Sequence, residues 1–230
     1  MPLRTMLQKG SLMLLIPLID SIYLLLNHGR EQVYILVTVF DQSIPFTQYF
    51  VIPYIAWYAL IFVALTWFMY RDLRLYILTI ISIILGLFIS FIFFSVFQTT
   101  VPRPEILGHD IFSRLTKFIY TIDKPFNAFP SIHVLTSYIV FLGCLETKGN
   151  SPKISLIIRG AVILVILSTL FLKQHTLLDV LGGLVLGGSL FKAVNWFEGA
   201  FYNKTKKLVS KELTFNQNEN EPILELVGKG

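Results

Sequence analysis

Long apolar runs alternate with short polar segments along this chain. A helix that crosses a bilayer needs about 20 predominantly apolar residues. Runs of about that length, or somewhat shorter, occupy residues 11–27, 50–70, 75–98, 129–145, 154–172 and 176–197. The pattern predicts six membrane-spanning helices, the first of them a retained anchor rather than a cleaved leader. The apolar stretch at 33–40 is too short to span and is expected to lie at the interface or to re-enter it.

The polar segment between the third and fourth runs, residues 99–127, has a helical pattern of its own. Its apolar residues recur at helical spacing, at Ile106, Leu107, Ile111, Phe112, Leu115, Phe118, Ile119 and Ile122. Charged residues stand between them, which is typical of an amphipathic helix. Two settings are open for this helix, the membrane surface or the side of the protein's own bundle.

The composition agrees with a membrane protein. The chain is 54% hydrophobic and only 14% charged, whereas soluble domains have about 25% charged residues. The single cysteine, Cys144, excludes a disulfide or a cysteine-based metal site within one chain. The net charge of +5 does not indicate nucleic acid as a partner, because the basic residues lie in loops between apolar runs, where they report topology.

Lysine and arginine are concentrated on one side of the predicted bundle, and such a bias marks the cytoplasmic side. That side carries Arg4, Lys9, Arg71, Arg74, Lys148, Lys153, Lys204, Lys206, Lys207 and Lys211. The opposite side carries Arg30, Arg103, Arg114, Lys117, Lys124 and Lys173. We expect a plasma-membrane protein with both termini in the cytoplasm. Residues 1–202 are predicted to form an all-α, six-helix polytopic bundle with the amphipathic outer-loop helix, and residues 203–230 a mobile polar cytoplasmic tail.

Three ionisable side chains, Lys173, His175 and Asp179, stand where the sixth apolar run begins. Ionisable residues inside a membrane domain are costly and usually functional. Because His175 and Asp179 are four residues apart, they share one face of a helix. We expect Asp179 to accept a hydrogen bond from one ring nitrogen of His175, which leaves the other nitrogen free to act as a base or nucleophile. The alternative is a capping pair at the start of the helix.

Two other segments bring polar residues to the same predicted outer side. In NAFPSIH (127–133), Pro130 and Ser131 favour a helix start, and the free N–H groups there, such as that of Ile132, suit an anion. His133 lies within the first turn and is placed to donate a proton. In VPRPE (101–105), Arg103 stands between two prolines, and its guanidinium is suited to a phosphate group.

These motifs resemble those of the type 2 phosphatidic acid phosphatase superfamily, which are membrane lipid-phosphate phosphatases. The similar segments are Arg103-Pro104, then residues 130–133 (PSIH), then His175 to Asp179 with Ser168 upstream. The resemblance covers roughly residues 75–197 and includes the order and spacing of the motifs. The earlier segments DQSIPF (41–46) and PYIAWY (53–58) are similar to a bacterial branch near the inositol-phosphotransferase and sphingomyelin-synthase-like members.

The resemblance implies a phosphohistidine mechanism. It implies that His175 attacks phosphorus, that Asp179 orients His175, and that His133 protonates the leaving alkoxide. Arg103, Lys173, Ser131 and the backbone of Ile132 and its neighbours would hold the phosphate oxygens. Fixed positive charge then neutralises the transferred group, so no metal and no other cofactor is expected. The expected partners are a lipid phosphate and the bilayer.

Two positions depart from the family pattern. The family has a lysine seven residues before the first-motif arginine, where this chain has Val96, and an arginine after the third-motif serine, where it has Thr169. Both family residues hold phosphate oxygens. We expect Lys173 to replace one of them, with Lys124, Arg114 or Lys117 contributing from the outer loop.

Three functions remain open from the sequence. The first is a hydrolase, in which water resolves the phosphohistidine of a phosphatidate-like lipid, phosphatidylglycerophosphate or a polyprenyl diphosphate. The second is a transferase, in which an alcohol accepts the phospho-head group. The third is a non-catalytic lipid-binding or transport protein, since intramembrane histidine and aspartate also form proton relays. The clustering of the polar groups at one face disfavours the third, because transporter sites lie near the midplane. The oligomeric state stays open.

Overall fold

Helices account for most of the chain. The computed structural model describes residues 10–147 and 152–220, with side chains described up to residue 204. Arg4, Lys9 and Lys148, which entered the orientation argument, lie outside these residues. The side chains of Lys206, Lys207 and Lys211 do so as well.

The elements follow one another with short connections. After a 3₁₀ turn at Ser11–Leu14 come α1 (Leu15–Leu26), β1 (Tyr34–Ile35) and α2 (Val39–Ser43). A second 3₁₀ turn at Gln48–Phe50 leads into α3 (Val51–Ile55), α4 (Trp57–Arg71) and α5 (Leu73–Val96). The rest of the fold comprises β2 (Thr99–Thr100), α6 (Ile111–Ile122), α7 (Ile132–Glu146), α8 (Pro152–Phe171) and α9 (Leu177–Asn220).

Four segments are long and apolar enough to cross a membrane. They are Gln48–Arg71, Leu73–Val96, Pro152–Phe171 and Leu177–Lys204. They coincide with the second, third, fifth and sixth predicted spans. The first and fourth predicted spans are also apolar helices, Ser11–Leu26 and Ile132–Glu146, but they are shorter. The helical class is confirmed, and six crossings remain a prediction.

Helix α7 contributes the core on which the other elements pack. It contacts α4, α5 and α8, and its residues Val134, Leu135 and Ile139 are fully buried. Ser131 caps its start by accepting a hydrogen bond from the N–H of Val134 at 3.3 Å. The cap at Ser131 thus fixes the first turn of α7, which carries His133, next to the buried core residues of the same helix.

Gly183 and Gly187 form a G-x-x-x-G pattern, which predicts close approach of two helices. The structure shows this approach between α9 and α7. A Cβ atom at Gly183 would lie 2.7 Å from the carbonyl oxygen of Ser131, and one at Gly187 would lie 3.0 Å from that of Leu135. The two glycines therefore let α9 rest directly on the backbone of α7.

The outer-loop helix α6 is shorter than its predicted pattern, because Asp110 caps it through the N–H groups of Phe112 and Ser113. Residues 106–110 precede the helix. One face of α6 packs on the bundle, where buried Ile119 joins a cluster with Val51, Tyr54 and Leu172. Of the two predicted settings, packing against the bundle is therefore present. Ile111, Phe118 and Ile122 of α6 stay exposed.

Within residues 33–40, Tyr34 and Ile35 form β1, and Val39 and Phe40 begin α2. Tyr34 and Ile35 pair in parallel with Thr99 and Thr100, so β1 fastens this stretch to the start of the outer loop. The periodicity of apolar residues does not predict this strand pairing, because the partner strand lies about 65 residues further along the chain.

Helix α9 continues beyond the last predicted span to Asn220. The segment 203–220, predicted as a mobile tail, is helical because it contains neither glycine nor proline and is rich in good helix formers. By contacts the chain forms two units, residues 1–191 and residues 192–230. Arg103, His133, Lys173, His175 and Asp179 all belong to the first unit.

Candidate active site

His175 lies between the end of α8 and the start of α9 and is nearly buried. Its Nδ1 atom is 3.0 Å from the carbonyl oxygen of Ala128. Because a carbonyl oxygen only accepts hydrogen bonds, Nδ1 carries the proton, and Nε2 keeps its lone pair. The ring is thus held in the tautomer that a nucleophile at Nε2 requires.

Asp179 does not make the predicted hydrogen bond to His175. Its Oδ2 atom lies 3.8 Å from Nδ1 of His175, within reach of an ion pair but too far for a hydrogen bond. The same oxygen accepts a hydrogen bond from the N–H of Thr176 at 2.6 Å, and the Thr176 hydroxyl accepts one from the N–H of Asp179 at 3.3 Å. This is a capping box, the alternative role. Among the described residues the second oxygen, Oδ1, has no partner.

His133 stands one residue into α7, facing His175. The centroids of the two imidazole rings are 5.7 Å apart. The rings of Tyr54 and Trp57 flank His133, with centroids at 4.6 and 4.2 Å. No described residue makes a hydrogen bond to its buried Nδ1. His133 is therefore held by contacts with these two rings, and its Nδ1 atom is not used in a hydrogen bond of the fold.

Arg103 is fixed by backbone and side-chain acceptors. Its Nη1 atom donates to the carbonyl oxygens of Asp123 at 2.7 Å and Tyr120 at 3.3 Å, and its Nη2 atom donates to the Gln174 amide. The guanidinium also lies 4.4 Å from the centroid of the Tyr120 ring. Burial raises the pKa of Tyr120 to about 12, although Arg103 acts in the opposite direction, so this ring stays neutral.

Lys173 has a left-handed backbone, with φ of 51°, and points back toward the N-terminal part of the chain. Its Nζ atom donates to the carbonyl oxygens of Asp41 at 2.8 Å and Ile44 at 2.5 Å. An ammonium group has three donors, so one remains for a ligand. The Lys173 ammonium group, which was predicted to bind phosphate, thus also holds the segment 41–44 in place.

The segment 41–46, for which the sequence indicated no physical role, organises the start of α9. One carboxylate oxygen of Asp41 accepts a hydrogen bond from the N–H of Leu177 at 2.7 Å. The other accepts from the N–H and hydroxyl of Thr38 at 2.7 and 2.6 Å. Burial acts to raise the pKa of Asp41, but these hydrogen bonds and the Lys173 charge outweigh it and lower that pKa.

The segment 53–58 also has a role that the motifs did not reveal. Tyr54 contacts His133 with its ring, and it also donates a hydrogen bond from its hydroxyl to Asp123 at 2.6 Å. Tyr23 of α1 donates to the other oxygen of Asp123 at 2.7 Å. Since the carbonyl oxygen of Asp123 accepts from Arg103, one aspartate joins the aromatic wall of His133 to the arginine.

The motif residues border two adjoining cavities. The larger one, about 340 Å³, is lined by Arg103, Lys173 and His175 together with Asp41 and other residues of the N-terminal part. A narrow one of about 10 Å³ is lined by both histidines, Arg103, Lys124 and Gln174. Within the part of the chain that the structure describes, Arg103 Nε and Gln174 Nε2 are buried donors without a partner. Such donors suit the oxygen atoms of an anion.

Ser131 and Ile132 differ in their relation to these cavities. Ser131 is fully buried, and its N–H donates to the carbonyl oxygen of Asp179 at 3.1 Å. It lines neither cavity, and it acts as a helix cap. Ile132 does line the narrow cavity, and N–H groups of a first helical turn have no partner within their helix.

The two positions that depart from the family pattern line neither cavity. Val96 is exposed at the end of α5, and Thr169 is buried with its hydroxyl on the carbonyl oxygen of Ile166. Arg114 and Lys117 donate to carbonyl oxygens of His109 and Gly108. Of the three suggested outer-loop cations, Lys124 is the one that lines a cavity with the histidines.

A sequence model described as the PAP2 superfamily matches residues 75–202, which is more than half of the chain. The matched region contains Arg103, His133 and His175. No curated protein and no solved structure matches the chain at a significant level.

Proposed function

Since the chain belongs to the PAP2 superfamily, we propose that it is an integral membrane phosphatase that removes phosphate from a phospholipid or an isoprenoid phosphate or diphosphate. The superfamily itself carries phosphatase or phosphotransferase-type activity. The observation that supports the finer proposal is the His175 ring, whose Nδ1 lies 3.0 Å from the Ala128 carbonyl oxygen while the ring faces His133 at 5.7 Å. A phosphoryl group between the rings has a nucleophile on one side and an acid on the other.

In the first step the Nε2 lone pair of His175 attacks phosphorus. With a monophosphate ester, the phosphorus–oxygen bond to the lipid breaks, and the leaving alkoxide takes a proton from His133. A bound phosphate dianion favours the protonated imidazolium of His133, because opposite charges at short range stabilise each other. The products of the step are a free alcohol and a phosphohistidine at His175.

In the second step water attacks phosphorus, and neutral His133 takes a proton from it. The phosphorus–nitrogen bond breaks, so phosphate leaves and His175 recovers its lone pair. Arg103, the remaining donor of Lys173 and the N–H of Ile132 would bind the phosphate oxygens in both steps. Lys124 and Gln174 border the same narrow cavity and would add to this set.

Asp179 has an electrostatic role in this scheme. The ring of a histidine that carries a proton on Nδ1 and a phosphoryl group on Nε2 is positively charged. The Asp179 carboxylate, 3.8 Å from Nδ1, stabilises that charge. The backbone carbonyl of Ala128, and not Asp179, fixes the tautomer.

The proposed setting is a plasma membrane with the site at the outer face and both termini in the cytoplasm. The lysine and arginine bias of the loops supports this orientation. The apolar helices would hold the tails of the lipid while its head group reaches the cavity.

A transferase is the second candidate, because segments 41–46 and 53–58 are similar to the phosphotransferase branch and both contact the site. In that case an alcohol replaces water in the second step. Its proton passes to His133, and the phosphoryl or phospho-head group remains esterified. Phosphate release and head-group transfer separate the two candidates.

The test is phosphate release by the purified protein from a panel of lipid phosphates and diphosphates, with a chelator present. We expect release from at least one lipid and none by His175→Ala. His109→Ala, at an outer-loop histidine, is the matched control and should retain activity. Release that persists in His175→Ala contradicts the phosphohistidine, and head-group transfer without phosphate release favours the transferase.

A further inference from the structure

A third cavity lies beside His133, between α1, the start of α4 and the outer-loop helix α6. Its volume is about 460 Å³. We call it the acidic cleft, because it is lined by Asp20 and Asp123 in addition to His133. Most of its wall is apolar, with Leu24, Ile55, Leu115, Phe118, Ile119 and Ile122. His133 lines the cleft and His175 does not. The cleft therefore lies on the side of the proposed general acid, His133, and not on the side of the proposed nucleophile, His175.

The acidic cleft and the larger cavity near His175 differ in the ionisable side chains that line them. Arg103 and Lys173 line the larger cavity near His175. Among the described residues that line the acidic cleft there is neither lysine nor arginine. The cleft therefore disfavours a phosphate group and favours groups that donate hydrogen bonds.

The two aspartates differ in the number of hydrogen bonds that their carboxylate oxygens accept. Asp123 has a tyrosine hydroxyl on each oxygen, from Tyr23 and Tyr54. Asp20 is only 9% exposed, and one oxygen accepts a hydrogen bond from Tyr58 at 2.9 Å. Its other oxygen, Oδ1, is buried and has no partner among the described residues. A buried polar atom without a partner is costly, so a ligand donor at Asp20 gains the bond that the fold leaves unmade.

We propose that the acidic cleft binds the alcohol part of the lipid phosphate and selects alcohols that carry a free hydroxyl. The chain of the alcohol would lie along the apolar residues of α1 and α6, and its hydroxyl would donate to Asp20. The inference rests on the proposed function, in which His133 protonates the leaving alcohol. It adds a binding site and a substrate class, a hydroxyl-bearing lipid phosphate rather than a plain alkyl or isoprenyl one.

Binding of the free alcohols tests the cleft without any turnover. The probes are a 1-monoacylglycerol and an unbranched 1-alkanol of similar length, each titrated against the purified full-length protein in lipid nanodiscs. A hydrogen bond that pairs the buried Oδ1 of Asp20 favours the hydroxyl-bearing probe, so we expect it to bind about 10- to 100-fold more tightly. Equal affinity of the wild-type protein for the two probes, after correction for partition into the bilayer, overturns the proposal.

Three variants locate the selectivity. Asp20→Leu removes the acceptor at nearly constant volume and should make the two affinities equal. Asp20→Asn keeps an acceptor oxygen and should retain most of the preference. Leu24→Ala, in the same wall, should weaken both probes alike. Unchanged preference in Asp20→Leu also overturns the proposal.

Phosphate release then separates this inference from the proposed function. Release should be compared for 1-acylglycerol 3-phosphate and for an alkyl phosphate of similar length. We expect Asp20→Leu to lower kcat/KM for the first by about 10- to 100-fold and to leave the second within about twofold, which also shows that the variant is folded. Selective alcohol binding without any phosphate release contradicts the proposed function alone. His175-dependent release without hydroxyl selectivity contradicts the inference alone.

Discussion

The Nδ1 atom of His175 lies 3.0 Å from the carbonyl oxygen of Ala128, so a backbone group holds the histidine that the motifs identified. A side-chain substitution does not remove a backbone acceptor. The orientation of His175 is thus more robust to mutation than a histidine–aspartate pair would suggest.

Asp179→Asn should therefore keep the tautomer of His175 and lose only the charge opposite the ring. The amide oxygen still accepts from the Thr176 N–H, so the start of α9 stays capped. We expect kcat to fall by about 10- to 100-fold, which corresponds to about 1.4–2.8 kcal/mol, with little change in thermal stability. A loss as complete as that of His175→Ala would show that Asp179, and not Ala128, fixes the ring.

His133→Gln should affect substrates according to their leaving groups. An alkoxide needs a proton from His133, whereas a nitrophenolate leaves without one. We expect kcat/KM to fall by about 10²- to 10⁴-fold for a lipid phosphate and much less for p-nitrophenyl phosphate. Equal losses for the two substrates would contradict the role of His133 as the acid.

Lys173→Met should weaken both the fold and the phosphate site. The ammonium group donates to the carbonyl oxygens of Asp41 and Ile44, and hydrogen bonds from a charged group contribute about 1.5–3 kcal/mol. We expect a lower unfolding temperature and a higher inhibition constant for inorganic phosphate. Lys173→Arg, which keeps the charge, is the control. If Lys173→Met lowers stability while phosphate inhibition is unchanged, Lys173 holds the loop and does not bind phosphate.

Asp41 should make the stability of the fold sensitive to acid. Although burial acts to raise its pKa, the Thr38 and Leu177 hydrogen bonds lower it in the folded protein, whereas an unfolded aspartate has a pKa of about 3.9. Such a group stabilises the fold above the unfolded pKa, and the contribution is lost as the pH falls through the folded value. Asp41→Asn should therefore flatten the decline of the unfolding temperature below about pH 4. Identical acid profiles for the two proteins would contradict this.

Gly183→Ala should destabilise the contact between α9 and α7. The added Cβ would meet the Ser131 carbonyl oxygen at 2.7 Å, and overpacking of this kind costs about 1–3 kcal/mol. Gly160→Ala is the matched control, because a Cβ there meets no atom within 4 Å. We expect Gly160→Ala to be neutral or stabilising in thermal unfolding. Equal stability of the two variants would show that the close approach is not required.

The sequence predicted that Arg103, His133 and His175 would lie near helix ends on one side of the bundle. Arg103, His133 and His175 border one narrow cavity, as their common placement at helix ends predicted. The predictions rested on local signals, namely apolar runs, a cap at Ser131 and ionisable residues where a membrane helix begins. Such signals are reliable because each depends on residues that are within one or two helical turns of one another in the sequence.

The missing part of the site depends on contacts far apart in the chain. Asp41 and Leu177 meet across 136 positions, and Tyr23 and Asp123 across 100, so no periodicity announces either pair. Asp179 shows a different limit. Its spacing from His175 and from Thr176 suits both a hydrogen bond and a cap, and the sequence alone does not decide between two nearby donors.

The segment 41–46 also limits what can be transplanted between related proteins. The family match begins at residue 75, yet Asp41 and Ile44 hold Lys173 and the first N–H of α9, and Tyr54 and Trp57 form the wall behind His133. A chimera that receives only the motif-bearing portion would carry every signature residue and lack the supports that aim them. In this protein the segments that support the motif residues therefore extend beyond the region that the family model matches.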